Sequence, residues 1–271
     1  MKNFFTCFLF LLVVNANYAS IDAKVTYEKT ENGYKILAYN NEFCPVSVKI
    51  DFKITNLKLK SINNSTFVIP AQTKDFEITT LEVINLKKAY SISFKTTNNY
   101  GDANLKLVTS NYNYDLPFKK GEEFMIWQGY NGSFSHTNEN SLDFNMPEGT
   151  EIYSVRDGIV ISVQQENNKT CETKDCAKYN NYILVYHLDG TFSEYSHLKK
   201  QGALVKVGDA IQKNQLIGYS GNVGWSTGAH LHLVIFKQQI DKRITLKTKF
   251  LTGDGKKPEF LQEKKSYTKN Y

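Results

Sequence analysis

Apolar and polar positions alternate along most of the first hundred residues. In PVSVKIDFKITNL, the side chains of Val46, Val48, Ile50, Phe52 and Ile54 fall on one face of an extended chain, since neighbours on a strand point to opposite sides. TFVIPAQTKDFEITTLEVINL and AYSISFKTT continue the alternation. In YEKTENGYKILAY, Asn32-Gly33 lies between two strand-like runs, a hairpin signal. No stretch shows a helical period. The pattern predicts a small antiparallel β-sandwich over residues 22–114.

The texture changes after NYNYDLPFKKGEEF, which reads as a connection. Turn signals become frequent: Pro147-Glu148-Gly149, Asp157-Gly158, Asp189-Gly190 and Gly208-Asp209. Between them stand short strand-like runs such as GIVISVQQ and NYILVYHL. A second, mainly β domain is therefore expected over 115–245. Residues 246–271, rich in lysine, read as a polar basic C-terminal tail. No period indicates a repeat array.

The chain of 271 residues is 41% hydrophobic and 13% aromatic, enough for two cores. Its start, MKNFFTCFLFLLVVNANYAS, has one charge (Lys2), a short apolar run from Phe4 to Val14, and small residues at Ala16, Ala19 and Ser20. This is the layout of a secretory signal peptide over 1–20, and the run falls short of the roughly 20 apolar residues of a membrane span. An uncleaved anchor is the alternative. No later stretch is apolar enough to cross a membrane, so an exported protein is expected, in the periplasm, the cell envelope or outside the cell. Loss of Lys2 would take the formal charge from +6 to +5. Such a mild excess fits a solvated lysine-rich surface or anionic surroundings such as a cell wall. No nucleic-acid motif is present. Outside the leader, Cys171 and Cys176 can close the loop CETKDC, which leaves Cys44 free.

Histidine is scarce, with five in the chain. Two of them, His230 and His232, sit one residue apart in STGAHLHLVIF and share a strand face with Val234 and Phe236, roughly 7 Å apart at ~3.3 Å rise per residue. Paired imidazoles on one rigid strand suit a metal site. In YILVYHLDGTFSEYSHLKK, a two-residue turn at Asp189-Gly190 would pair Leu188 with Thr191, His187 with Phe192 and Tyr182 with His197. That register puts His187 on the face of Ile183 and Val185 and His197 on the other, with Tyr182 and Leu184. His197 could then reach a cleft while His187 packs as a structural residue. In SHTNENSLDF, Asp143 stands between Leu142 and Phe144, and a carboxylate so flanked needs a partner. A metal would serve, and so would a turn or a lysine. Four histidines and one aspartate suffice for a hydrolytic zinc with three protein ligands and an open position, plus two groups to handle protons. No HExxH occurs, so a histidine would have to act as base.

From Gln128 to Phe236 the chain resembles the M23 metallopeptidases, the lysostaphin-like (LytM-type) cell-wall endopeptidases. The pieces are SH followed by LDFNMPEGT, then VRDGIV, HLDGTFSEYSHL and VKVGDAIQKNQLIGYSGNVGWSTGAHLH, in that order. The resemblance implies a LytM-type antiparallel sheet, a Zn²⁺ cofactor held by His136, Asp143 and His232, and catalytic histidines at His197 and His230. It implies hydrolysis of peptide bonds in peptidoglycan stem peptides or crossbridges. The alternative is a non-catalytic scaffold, or a wall-binding activator of other wall hydrolases. One departure stands out: six residues separate His136 from Asp143 where the family commonly has three.

Overall fold

The computed structural model describes residues 20–60, 65–106 and 112–271; the signal-peptide reading of the leader lies outside the described residues. The first half forms β1 (Ala23–Thr30), β2 (Gly33–Asn40), β3 (Val46–Thr55), β4 (Leu57–Leu59), β5 (Thr66–Ile69), β6 (Thr73–Val83) and β7 (Ser91–Tyr100). They make two antiparallel sheets, β1-β2-β6-β4 and β5-β3-β7. The alternation read in β3 is the one observed: Val46, Val48 and Ile50 are buried, Phe52 and Ile54 half-buried. The β1–β2 hairpin forms, but Thr30 pairs with Gly33, so Glu31-Asn32 is the loop. Gly33 is needed for another reason. Its φ is 149°, and a Cβ there would lie 1.8 Å from the carbonyl oxygen of Leu81 on β6.

The rest of the chain forms β8 (Asn113–Tyr114), β9 (Glu123–Gln128), β10 (Ser141–Phe144), β11 (Glu151–Tyr153), β12 (Gly158–Gln164), β13 (Thr170–Cys171), β14 (Tyr182–Tyr186), β15 (Thr191–Ser196), β16 (Leu198–Ala203), β17 (Ala210–Ile211), β18 (Leu216–Ser220) and β19 (Gly224–Trp225). It ends with β20 (Leu231–Gln238), β21 (Arg243–Thr245), β22 (Lys249–Thr252), β23 (Lys257–Glu259) and β24 (Ser266–Thr268). A large sheet runs β17-β12-β14-β15-β20-β10-β9-β24, with β21 also on β20. Mainly β architecture with antiparallel sheets is thus as expected. Among the described residues the single helical element is a 3₁₀ turn, Lys174–Tyr179.

The two faces of this sheet have different partners. Leu231, Leu233 and Ile235 of β20 join Leu142, Phe144, Ile183, Val185 and Tyr195 in one core, with Phe118, Ile152 and Ile217 laid over them. Val234 and Phe236 face the other way, with Tyr182, Leu184 and Phe192, and pack into the core of the first-half sandwich. Each fully buried apolar side chain contributes roughly 1.5–3 kcal/mol. A one-residue slip of β20 would exchange three such residues for His230, His232 and Val234, so the register is strongly fixed.

Two expectations are corrected here. The β14–β15 hairpin pairs Tyr186 with Phe192 and Tyr182 with Ser196, one residue out of the predicted register. His187 and Thr191 close the turn, with the amide of Gly190 donating to the carbonyl of His187 and Gly190 at φ 83°. A three-residue loop with glycine in the left-handed position replaces the two-residue turn. Secondly, residues 246–271 are no solvated tail. β24 pairs with β9, and Phe250, Leu261 and Tyr267 lie in the main core. Even Lys269 is buried, donating to the carbonyl of Leu116 at 2.9 Å. Lysine-rich composition concealed the apolar residues spaced between the charges.

Candidate active site

β10 and β20 are neighbours, and their register sets Asp143 opposite His232. Both side chains leave the sheet on the face opposite Leu142 and Leu233. His232 Nδ1 lies 2.8 Å from Asp143 Oδ1. His136 comes from the loop before β10. Its Nε2 is 3.3 Å from Asp143 Oδ1 and 3.3 Å from His232 Nδ1. Two imidazole nitrogens and a carboxylate oxygen therefore form a triangle with edges of 2.8, 3.3 and 3.3 Å. Ligands bonded tetrahedrally to zinc at ~2.0–2.1 Å stand about 3.3 Å from one another, so the donor set and its size both fit that ion.

The longer His136–Asp143 loop is folded back by specific ties. Its turn is closed by Glu139 N–H donating to the carbonyl of His136 at 2.8 Å. Arg243 of β21 reaches Glu139 at 3.2 Å, and Thr245 takes the amide of Asn140 at 2.8 Å. His136 Nδ1 donates to the carbonyl of Gly129 at 2.9 Å, which turns Nε2 toward Asp143. The extra length in sequence thus does not separate the donors in space.

Gln128 was not foreseen as a site residue. It pairs with Asp143 across β9 and β10, and its Nε2 donates to Asp143 Oδ2 at 3.2 Å and to Ser135 Oγ at 2.7 Å. Its Oε1 accepts the amides of Phe134 and Ser135. One side chain so ties the carboxylate to the loop that carries His136. A Cβ on Gly132 would strike Gln128 at 2.4 Å, so the loop requires glycine there. The available signal was a polar residue ending the apolar run EFMIWQ.

His197 and His230 flank the triangle, with ring centroids 4.6 Å apart. His197 Nδ1 donates to the carbonyl of Val223 at 2.8 Å, and His230 Nδ1 to that of Gly228 at 2.8 Å, with Ser226 Oγ 3.3 Å away. A carbonyl cannot donate, so each ring carries its proton on Nδ1 and keeps Nε2 as a base. His230 Nε2 is 3.7 Å from Asp143 Oδ1. Trp127 meets His230 edge-on at 6.0 Å between centroids.

His187 and His197 end on the faces predicted for them, but not through the predicted register. Strand parity would send His197 to the same side as Ile183, Tyr195 and His187. It reaches the other side because it adopts φ 65°, a left-handed conformation that costs a non-glycine residue about 1–3 kcal/mol. Asn180 supports this turn, its Oδ1 accepting the amide of His197 at 3.0 Å. His187 is a structural residue as expected: buried at the far end of the hairpin, Nδ1 donating to the carbonyl of Asp157 and Nε2 accepting from Ser193 Oγ.

Electrostatics follow the same division. Burial alone would raise Asp143, but hydrogen bonds from His136 and His232 overcome it and hold the carboxyl well below its ordinary range. Burial opposes charge on His136, yet the Asp143 carboxylate outweighs it and raises the imidazole. Burial pushes His197 down to about 3, reinforced by the imidazoles of His230 and His232. His230 is lowered as well, by burial against the pull of Asp143. The centre is an ionised carboxylate among imidazoles, beside two neutral ones. The expected disulfide joins Cys171 to Cys176, and Cys44 is free and buried.

Two histidines and a carboxylate beside two further imidazoles are the kind of side chains that catalytic zinc sites of hydrolases use. Residues 137–243 match the model of Peptidase family M23; the match begins one residue after His136. The sequence is 39% identical over 95 residues to an uncharacterized metalloprotease of Buchnera aphidicola, covering 35% of this chain and 22% of that protein. It is 38% identical over 93 residues to the peptidoglycan DD-endopeptidase ShyA of Vibrio cholerae (34% and 19%). It is 33% identical over 117 residues to the glycyl-glycine endopeptidase ALE-1 of Staphylococcus capitis (42% and 28%). The chain thus spans less than a third of the length of these relatives. Among solved structures, the catalytic domain of lysostaphin from Staphylococcus simulans aligns with TM-score 0.32 and 26% identity, over 42% of this chain and 78% of that one.

Proposed function

We propose that this chain is a zinc-dependent endopeptidase that hydrolyses peptide bonds in peptidoglycan, in stem peptides or crossbridges, and works in the cell envelope or outside the cell. The observation that carries the reading is the convergence of five side chains from distant segments: three donors spaced for one tetrahedral ion, and two neutral imidazoles beside them. Two imidazole nitrogens and one carboxylate oxygen suit zinc. Relatives that carry the domain are named as endopeptidases of peptidoglycan or of glycyl-glycine bonds. Among the described residues no helix is long and apolar enough to cross a membrane. The scaffold alternative finds no support, since neither a donor nor a flanking imidazole is missing.

In this reading His136 Nε2, Asp143 Oδ1 and His232 Nδ1 would hold the ion, which when bound would acidify water toward pH ~7 and polarise a carbonyl. Gln128 holds the second oxygen of Asp143 and keeps the carboxylate in position. His197 and His230 offer Nε2 to the proton released from the attacking water or needed by the leaving amine. Their Nδ1–H bonds to the carbonyls of Val223 and Gly228 fix the tautomer throughout. Once protonated, either ring would be stabilised by the nearby Asp143 carboxylate and destabilised by its burial, so the proton is readily passed on.

The test is digestion of purified peptidoglycan, with mass spectrometry of the released muropeptides. Cleavage at peptide bonds that stops with chelator and returns with one equivalent of zinc is expected. Cleavage indifferent to chelation, or none on walls of differing crosslinks, defeats the proposal.

A further inference from the structure

We infer that the segment between β12 and β14, residues 165–181 with the Cys171–Cys176 disulfide, is a positioning element for His197 and His230, with Asn180 as its principal residue. This rests on the reading of those two histidines as the proton-handling pair.

None of the donors lies on this segment, yet it touches both walls that hold the flanking histidines. β13 pairs in parallel with β19, Thr170 with Gly224 and Cys171 with Trp225. The amide of Ser226 donates to the carbonyl of Cys171 at 3.1 Å, and Trp225 Nε1 to that of Glu172 at 3.0 Å. The disulfide thereby anchors the strand-and-turn stretch 223–228, whose carbonyls of Val223 and Gly228 hold the two Nδ1–H groups. On the other side, Asn180 accepts the His197 amide and donates to Ser196 Oγ at 2.9 Å. Ser196 in turn donates to the buried Glu194 at 2.7 Å. Asn181 closes the neck, its Nδ2 donating to the carbonyls of Asn167 and Leu198. Gly224, at φ 96°, allows the two walls to meet: a Cβ there would stand 3.0 Å from the Cα of Asn180.

The bond from Asn180 replaces the strand pairing that His197 gives up at φ 65°. Loss of one such bond, worth about 1 kcal/mol, should release the backbone toward its ordinary conformation and swing the ring out of place. The donor triangle has its own supports in β9, β10, β20 and Gln128, and should be unaffected.

The experiment compares the zinc-loaded wild type with Asn180→Ala, Asn180→Asp and the double variant Cys171→Ser/Cys176→Ser. For Asn180→Ala, amide exchange at His197 should quicken about fivefold and kcat on peptidoglycan fall about fivefold, with KM and zinc affinity within twofold. Asn180→Asp keeps the acceptor for that amide and should recover much of both. The double variant should lose kcat in the same way, again keeping its zinc; if it does not fold, the Asn180 variants decide alone. Unchanged exchange at His197, or zinc affinity that falls in step with kcat, overturns the proposal. Exchange needs no turnover, so a protein that cleaves no wall would defeat the endopeptidase reading while leaving this one to be judged by exchange.

Discussion

The donor triangle and the flanking histidine pair sit within a few ångströms of each other, yet they are built by different means. His232 and Asp143 are set by the pairing of β10 with β20, and His136 is tied to them through Gln128. Their geometry follows from sheet register, which the apolar residues of the same strands fix at several kcal/mol. His197 and His230 are held by loop carbonyls and by a backbone turn of unfavourable conformation. Under the proposed function, a rigid scaffold would hold what must bind continuously, and a looser surround the groups that must take and release protons.

Four predictions break or sharpen that contrast. His232→Ala should have the largest effect, abolishing stoichiometric zinc binding in calorimetry and activity with it. His197→Ala should separate the two sets, retaining zinc while kcat falls ~10²–10⁴-fold. If zinc is lost too, the sets are not independent. His187 belongs to neither, and burial lowers its pKa to about 4. The unfolded chain takes up that proton near pH 6.5 and the folded one resists it. Stability is therefore complete above pH 6.5 and lost as pH falls toward 4, by about 3 kcal/mol. Denaturant unfolding of wild type against His187→Gln should show this extra slope in wild type alone. Gln128→Ala should have the smallest effect, weakening zinc ~10–100-fold with little change in kcat at saturating metal.

Much of this arrangement was legible from composition and spacing. Alternation in β3 gave its buried face, and two histidines, one just before β20 and one on it, shared the face that parity assigned them. The hairpin at Asp189-Gly190 was harder, since turn residues mark where a chain reverses and leave the count of loop residues open by one. That single residue moved His187 and His197 relative to every neighbour. The C-terminal strands escaped notice because Phe250, Leu261 and Tyr267 are spaced widely among lysines and bury themselves only against distant β8 and β9.

The sequence by itself determined the mainly β character up to residue 245, the histidine and aspartate inventory, and the side of β20 on which the pair emerges, because these depend on local periodicity and residue type. Only the tertiary structure decided that a longer loop still delivers His136 to Asp143, that Gln128 binds the two together, and that His197 turns against its strand parity toward His230. Those outcomes depend on hydrogen bonds between loops and strands that lie from 7 to 104 residues apart, which no local alternation encodes.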